Sequence, residues 1–161
     1  MLSMLPSIVI LGAAALVALA VSRPSPADNV VERIGAARSL AVATGVQSFH
    51  FFEEAVTGFN QRFPALFGLP AIPLFVFVTF NLLWLGIWVA SVPGLRSSRS
   101  VAFFAAWFLA IAGILNGIAH PLLSAAAGGY FPGLVTSPVV GIAGVLLWIK
   151  LASATRKRDK T

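Results

Sequence analysis

Five apolar stretches, each close to the length of a membrane span, leave this chain little choice of fold. "LPSIVILGAAALVALAVS" covers about residues 5–22 and stops at the turn-forming "RPSPADN". "ARSLAVATGVQSFHFFEEAVTGF" covers about 37–59, and "AIPLFVFVTFNLLWLGIWVASV" about 71–92, closed by "PGLRSSRS". "VAFFAAWFLAIAGILNGIAHPLLSAAA" covers about 101–127, followed by "GGYFPG". "LVTSPVVGIAGVLLWIKLAS" covers about 134–153 and ends in "RKRDK". A span takes ~20 largely apolar residues, so these runs account for most of the chain. The expected fold is all-α: a multi-pass transmembrane helical bundle of about five spans, in one membrane domain over 1–161.

Charge fixes the orientation. Only 10% of the 161 residues are charged, against about 25% in soluble domains. Alternating five spans with the C-terminus inside puts ten of the eleven Lys and Arg residues inside, leaving Arg62 outside. A four-span reading splits them between the two sides. The bias towards inside bases therefore predicts N-terminus out and C-terminus in, with a basic cytoplasmic tail at 154–161. The net charge of +6 is topological punctuation and predicts no nucleic-acid partner. The first run has a rival reading as a cleaved signal peptide, but no base precedes it, which favours a retained anchor. Cysteine is absent, so there is no thiolate ligand or nucleophile.

Polar residues inside such spans are the informative ones. Helical spacing puts Gln47, His50, Glu53 and Glu54 on one side of the second span. Ionisable groups cost about 2.5–3.5 kcal/mol at the centre of a span, so they face a partner or a cavity. The fourth span offers Asn116 and His120 one turn apart, beside Gly113 and Gly117, a small-residue pair expected to let the second span approach. Glu53 and Glu54 lie about five residues from the outer end of their span and His120 about seven, which agrees within one turn. Tyr130 follows in the outer loop. Both histidines and both embedded carboxylates are thus expected in one outer-leaflet layer.

These residues resemble the small bacterial membrane proteins named for their HXXEE motif. The motif stands here as His50, Glu53 and Glu54; a second histidine after an asparagine is matched by Asn116 and His120; a Tyr-x-Pro-Gly element is matched by Tyr130, Pro132 and Gly133. The likeness covers about residues 40–150, so the span at 5–22 is an addition to an HXXEE-like core at about 37–153. The resemblance implies an integral protein of the bacterial cytoplasmic membrane. The family's function is unknown, and a metal site with enzymatic activity is suggested for it.

His50, Glu53, Glu54 and His120 offer two imidazoles and two carboxylates, a set that suits zinc, iron or manganese. The competing reading is a metal-free polar cluster with one glutamate protonated. Asn116 and Gln47 are candidates for orienting ligands or for interhelical hydrogen bonding. Tyr130 is a candidate proton donor, or an interfacial tyrosine. Asn81 and Trp84 are candidate substrate contacts, though nearer mid-span and suited to core packing. Pro132 and Gly133 read as a turn that starts the fifth span. Three functions follow. The leading one is a metal-dependent enzyme, hydrolase or oxidoreductase, acting on a lipophilic substrate near the outer leaflet. Its residues would be Glu53, Glu54, His120 and Tyr130. The second is a metal-free acid–base isomerase or cyclase on an isoprenoid-like substrate. The third is a non-catalytic assembly or binding module with a structural metal, whose partners would be lipid, further copies of itself or a membrane complex.

Overall fold

The computed structural model describes residues 2–157, and the tail bases Arg158 and Lys160 lie outside the described residues. Six α-helices form, with no strand among the described residues. Helix α1 spans Leu5–Val21, after a short 3-10 turn at Leu2–Met4, with Pro6 in its first turn, where a missing N–H is harmless. Helix α2 spans Val30–Thr57 and ends at Gly58, whose φ of 80° no branched residue adopts comfortably. A short α3, Phe59–Ala65, follows at once. Helix α4 runs Leu74–Arg96, α5 Ser100–Ala126 and α6 Ser137–Thr155.

Two boundaries differ from the sequence reading. Helix α2 begins at Val30 rather than near 37, because its first two turns, with Glu32 and Arg33, are too polar to register as span yet remain helical. Helix α4 continues through Pro93 to Arg96, since a proline near the end of a helix removes few hydrogen bonds.

Among the described residues, four segments are long and apolar enough to cross a membrane: Leu2–Val21, Leu74–Arg96, Ser100–Ala126 and Ser137–Thr155. The protein is therefore a helical bundle of membrane-protein character. The fifth expected span, α2, is missing from that set for a local reason. Its inward face carries buried Thr44, Gln47, His50 and Glu54, which lower its average. Its outward face is apolar and exposed at Val42, Phe49, Phe52 and Val56. At 28 residues it is ~42 Å long, sufficient for a bilayer core.

Helix α5 is the centre. From Ala102 to Gly113 it is apolar all round and buried save for half-buried Phe104, with Phe103 and Ala106 at 0% exposure. Leu40, Leu95, Leu147 and Leu151 pack around it from α2, α4 and α6. Since lipid is as apolar as leucine, the gain is close packing rather than removal from water. The tightest seam joins α5 to α6. A Cβ on Gly117 would stand 2.7 Å from the Gly141 Cα, and one on Gly144 would stand 2.7 Å from the Ala110 carbonyl oxygen. This corrects the sequence reading of the glycine stripe. Gly113 and Gly117 admit α6, which carries its own glycines at 141 and 144, and α2 touches α5 only briefly.

At the other side of the bundle the α1–α2 turn, the α4–α5 turn and the end of α6 are tied together. Asn29 Nδ2 donates to the carbonyls of Ala154 and Arg156, and Arg33 donates to those of Arg96 and Pro26. Eight of the nine described Lys and Arg residues lie towards this end; Arg62 is at the opposite one.

Candidate metal centre

The site is built where α2 and α5 do approach, and the loop between α5 and α6 closes it. On α2, His50 and Glu54 lie one turn apart and point the same way. His50 is 0% exposed, His120 2% and Glu54 6%. Glu54 Oε1 stands 3.6 Å from His50 Nε2 and 3.4 Å from His120 Nε2. The two imidazoles meet edge to face with ring centroids 4.8 Å apart. One donor atom from each of the three residues lies within 4.8 Å of the others.

The outer ring nitrogens decide what the inner ones can do. His120 Nδ1 lies 2.6 Å from the carbonyl oxygen of Pro132. A carbonyl only accepts, so Nδ1 is assigned the proton and Nε2 a lone pair. His50 Nδ1 lies 2.7 Å from Thr136 Oγ1. That hydroxyl gives its one proton to Glu53 Oε2 at 2.5 Å, so it accepts from His50 Nδ1. Both Nε2 atoms therefore present lone pairs to the Glu54 carboxylate. His50 Nε2 is buried with no hydrogen-bond partner, a condition that costs about 1–3 kcal/mol unless a cation supplies the missing partner.

Adjacent glutamates diverge by ~100° on a helix, and these two serve different neighbours. Glu53 is directed to the loop. Its Oε1 accepts from the Tyr130 hydroxyl at 2.8 Å and the Val135 N–H at 3.0 Å; its Oε2 accepts from the Thr136 N–H at 2.8 Å and the Thr136 hydroxyl. The carboxylate thus caps the approach to the N-terminus of α6. Gly133, at φ 88°, lies flat on the imidazoles: a Cβ there would come within 2.5 Å of His120 Cε1 and 2.9 Å of His50 Cε1. Phe59 and Phe131 wall the outer side, with ring centroids 5.7 and 6.4 Å from that of His120. Arg62 stacks over Phe131. Outside the helices, desolvation raises the Tyr130 phenol above its ordinary value, and its hydrogen bond to Glu53 adds to this.

Of the residues singled out from sequence, His50, Glu54 and His120 come together. Glu53 does not join them, since both its oxygens are engaged by the loop, and Tyr130 touches Glu53 rather than the imidazoles. Gln47 is buried one turn before His50, and Asn116 is half-buried one turn before His120. Asn81 and Trp84 belong elsewhere: Asn81 donates to the carbonyl of Phe77 on its own helix, and Trp84 packs on Phe108 and Trp88. Sequence reasoning missed Thr136, Phe59 and Phe131, and took Pro132 and Gly133 for a turn alone. The one available signal was a threonine directly before "SP", where α6 starts. Two cavities lie away from the triad, one between α2 and α6 near Arg38 and one along the α5–α6 seam.

Residues 41–148 match the model of the family described as "protein of unknown function with HXXEE motif". No curated protein and no solved structure matches the chain.

Proposed function

The chain belongs to the family of proteins of unknown function with an HXXEE motif, and from that premise we propose a membrane-embedded enzyme that uses a divalent transition metal. His50, Glu54 and His120 would hold the metal, zinc, iron or manganese. The substrate would be lipophilic and met near the outer leaflet of a bacterial cytoplasmic membrane. The observation that carries this reading is the convergence of two histidine nitrogens and a carboxylate oxygen, all buried, within 4.8 Å of one another. The residues fit such an ion. Two imidazoles and one carboxylate are a common divalent-metal set. Donor separations of 3.4 and 3.6 Å compare with the ~3.3 Å edge of a tetrahedron with ~2.0–2.1 Å bonds.

When bound, the metal supplies a Lewis acid that polarises a carbonyl or phosphoryl oxygen. The chain's own groups do the rest. Pro132 and Thr136 fix both imidazoles as Nε2 donors, the carbonyl- or hydroxyl-held tautomer usual for metal-binding histidines. His50, Glu54 and His120 would supply three protein donors to such an ion, as catalytic metal sites commonly do. Phe59 and Phe131 keep water out, and Tyr130, half in solvent, keeps a proton to give beside Glu53. The clustering of bases at one end supports five spans including α2, with the C-terminus inside and this site near the outer surface.

Elemental analysis of the full chain purified in detergent tests the reading. The expected result is close to one transition metal per chain, lost on His120→Ala with the fold retained. Folded protein without metal would shift the assignment to acid–base isomerisation or cyclisation. A structural metal is the second reading, favoured by the enclosure of the triad. Rapid metal exchange with added chelator would count against it.

A further inference from the structure

A groove opens between α2 and α6 at the end of the bundle opposite the triad. Its volume is about 460 Å³, within the range of small-molecule sites. Gly35 forms part of its floor, and the Lys150 side chain lies across that glycine, with Cδ 3.9 Å from where a Cβ would stand. Arg38 on α2 and Lys150 on α6 provide one exposed cation from each wall, and the Ser153 hydroxyl lies one turn beyond Lys150. Glu32 also lines the groove and is already engaged, so the lining carries two cations against one carboxylate.

The polarity along both walls has an order. One turn from Arg38 towards mid-membrane, α2 exposes Val42; one turn from Lys150 in the same direction, α6 exposes Leu146. In the other direction, just past the end of α6, Arg156 and Lys157 are exposed. Arg38 and Lys150 therefore stand at the end of the groove nearest mid-membrane, and exposed apolar helix surface begins one turn beyond them. That is the profile of an amphiphile with an anionic head. Small inorganic anions have no use for the apolar continuation.

We propose that this groove binds the phosphate of an anionic phospholipid, held by Arg38 and Lys150, with Val42 and Leu146 beginning the path of its acyl chain. The metal site has no part in this binding, so either assignment stands without the other.

Native mass spectrometry of the full chain in dodecyl maltoside, titrated with dioleoyl phosphatidylglycerol or dioleoyl phosphatidylcholine, tests it. Each base near an anionic surface is worth on the order of fivefold, so the anionic lipid should bind tenfold or more tightly. The pair Arg38→Gln with Lys150→Gln should reduce it to the level of the zwitterionic lipid. Gly35→Leu, which fills the floor and keeps both charges, should do the same and is favourable in a helix. The pair Arg156→Gln with Lys157→Gln should leave the preference in place. Equal binding of both lipids would overturn the proposal. So would loss of preference only with the tail pair, or displacement of the lipid by millimolar inorganic phosphate.

Discussion

Gly133→Ala is the smallest change that tests whether the loop holds the imidazoles. Two terms contribute. At φ 88° an alanine adopts left-handed backbone, at about 1–2 kcal/mol. Its Cβ would also stand 2.5 Å from His120 Cε1 and 2.6 Å from His120 Nδ1, against a ring that is itself 2% exposed. Overpacking of this kind costs about 1–3 kcal/mol. Gly128→Ala separates the terms, because Gly128 has φ 67° but nothing within 4 Å of its Cβ position. The control should lose about 1–2 kcal/mol, or ~2–8 °C at ~2–4 °C per kcal/mol in a chain of this size. Gly133→Ala should lose a further 1–3 kcal/mol or so. The loop must rise to admit the methyl, which lengthens the contact of Pro132 with His120 Nδ1. Metal affinity should therefore fall about 10–100-fold in this variant and stay level in the control. Thermal melting in detergent and metal titration read both effects. Equal melting and equal affinity for the two alanine variants would refute the placement of the loop on the imidazoles.

The two glutamates should separate by substitution. Glu54→Gln should lower metal content while melting changes little; Glu53→Gln should keep the metal stoichiometry but lose about 1–3 kcal/mol, since an amide nitrogen would face donors from Tyr130 and Val135 or from Thr136. Thr136→Val should weaken metal binding about 10–100-fold and Thr136→Ser should restore it, as metal titration will show. Gly117→Ala, whose Cβ would stand 2.7 Å from the Gly141 Cα, should cost about 1–3 kcal/mol in thermal melting, and cysteines at Gln47 and Gly113 should not crosslink in an otherwise cysteine-free chain. A reporter active only in the cytoplasm should work fused at residue 161 and fail after Gly129; activity at both would sink the five-span topology.

The helices were legible because lipid imposes one rule on every span, and apolar runs broken by "RPSP", "PGLRSS" and "GGYFPG" state it plainly. The face shared by His50 and Glu54 was legible because helical spacing is local. What pairs with what was not. Gly113 and Gly117 announce a close approach without naming the partner, and the matching glycines on α6 carry half of that information. The split between Glu53 and Glu54 depends on where a loop eighty residues away falls, roughly one side of a helix or the other. The Pro132 carbonyl had no side-chain signature at all, since any residue offers one.

The site depends on a helix that contributes no candidate ligand. Helices α2 and α5 share only a short contact, which alone would leave His50 and His120 free to choose tautomer and rotamer. The rings are fixed from the α6 side: Thr136 caps that helix and holds His50, and Pro132, four residues earlier, holds His120. The height of α6 is set in turn by the Gly117–Gly141 contact, less than one turn from His120 along α5. Gly133, whose backbone carbonyl accepts from the Ser137 N–H in the first turn of α6, transmits that height to the rings. Glu53 closes the circuit from α2 by engaging the last loop residues before α6. A defect in the glycine seam should therefore reach the imidazoles although it touches neither. Phe103 and Ala106, in the first two turns of α5 and buried with Leu40, Leu95 and Leu147, lie away from that seam and should tolerate repacking without loss of metal.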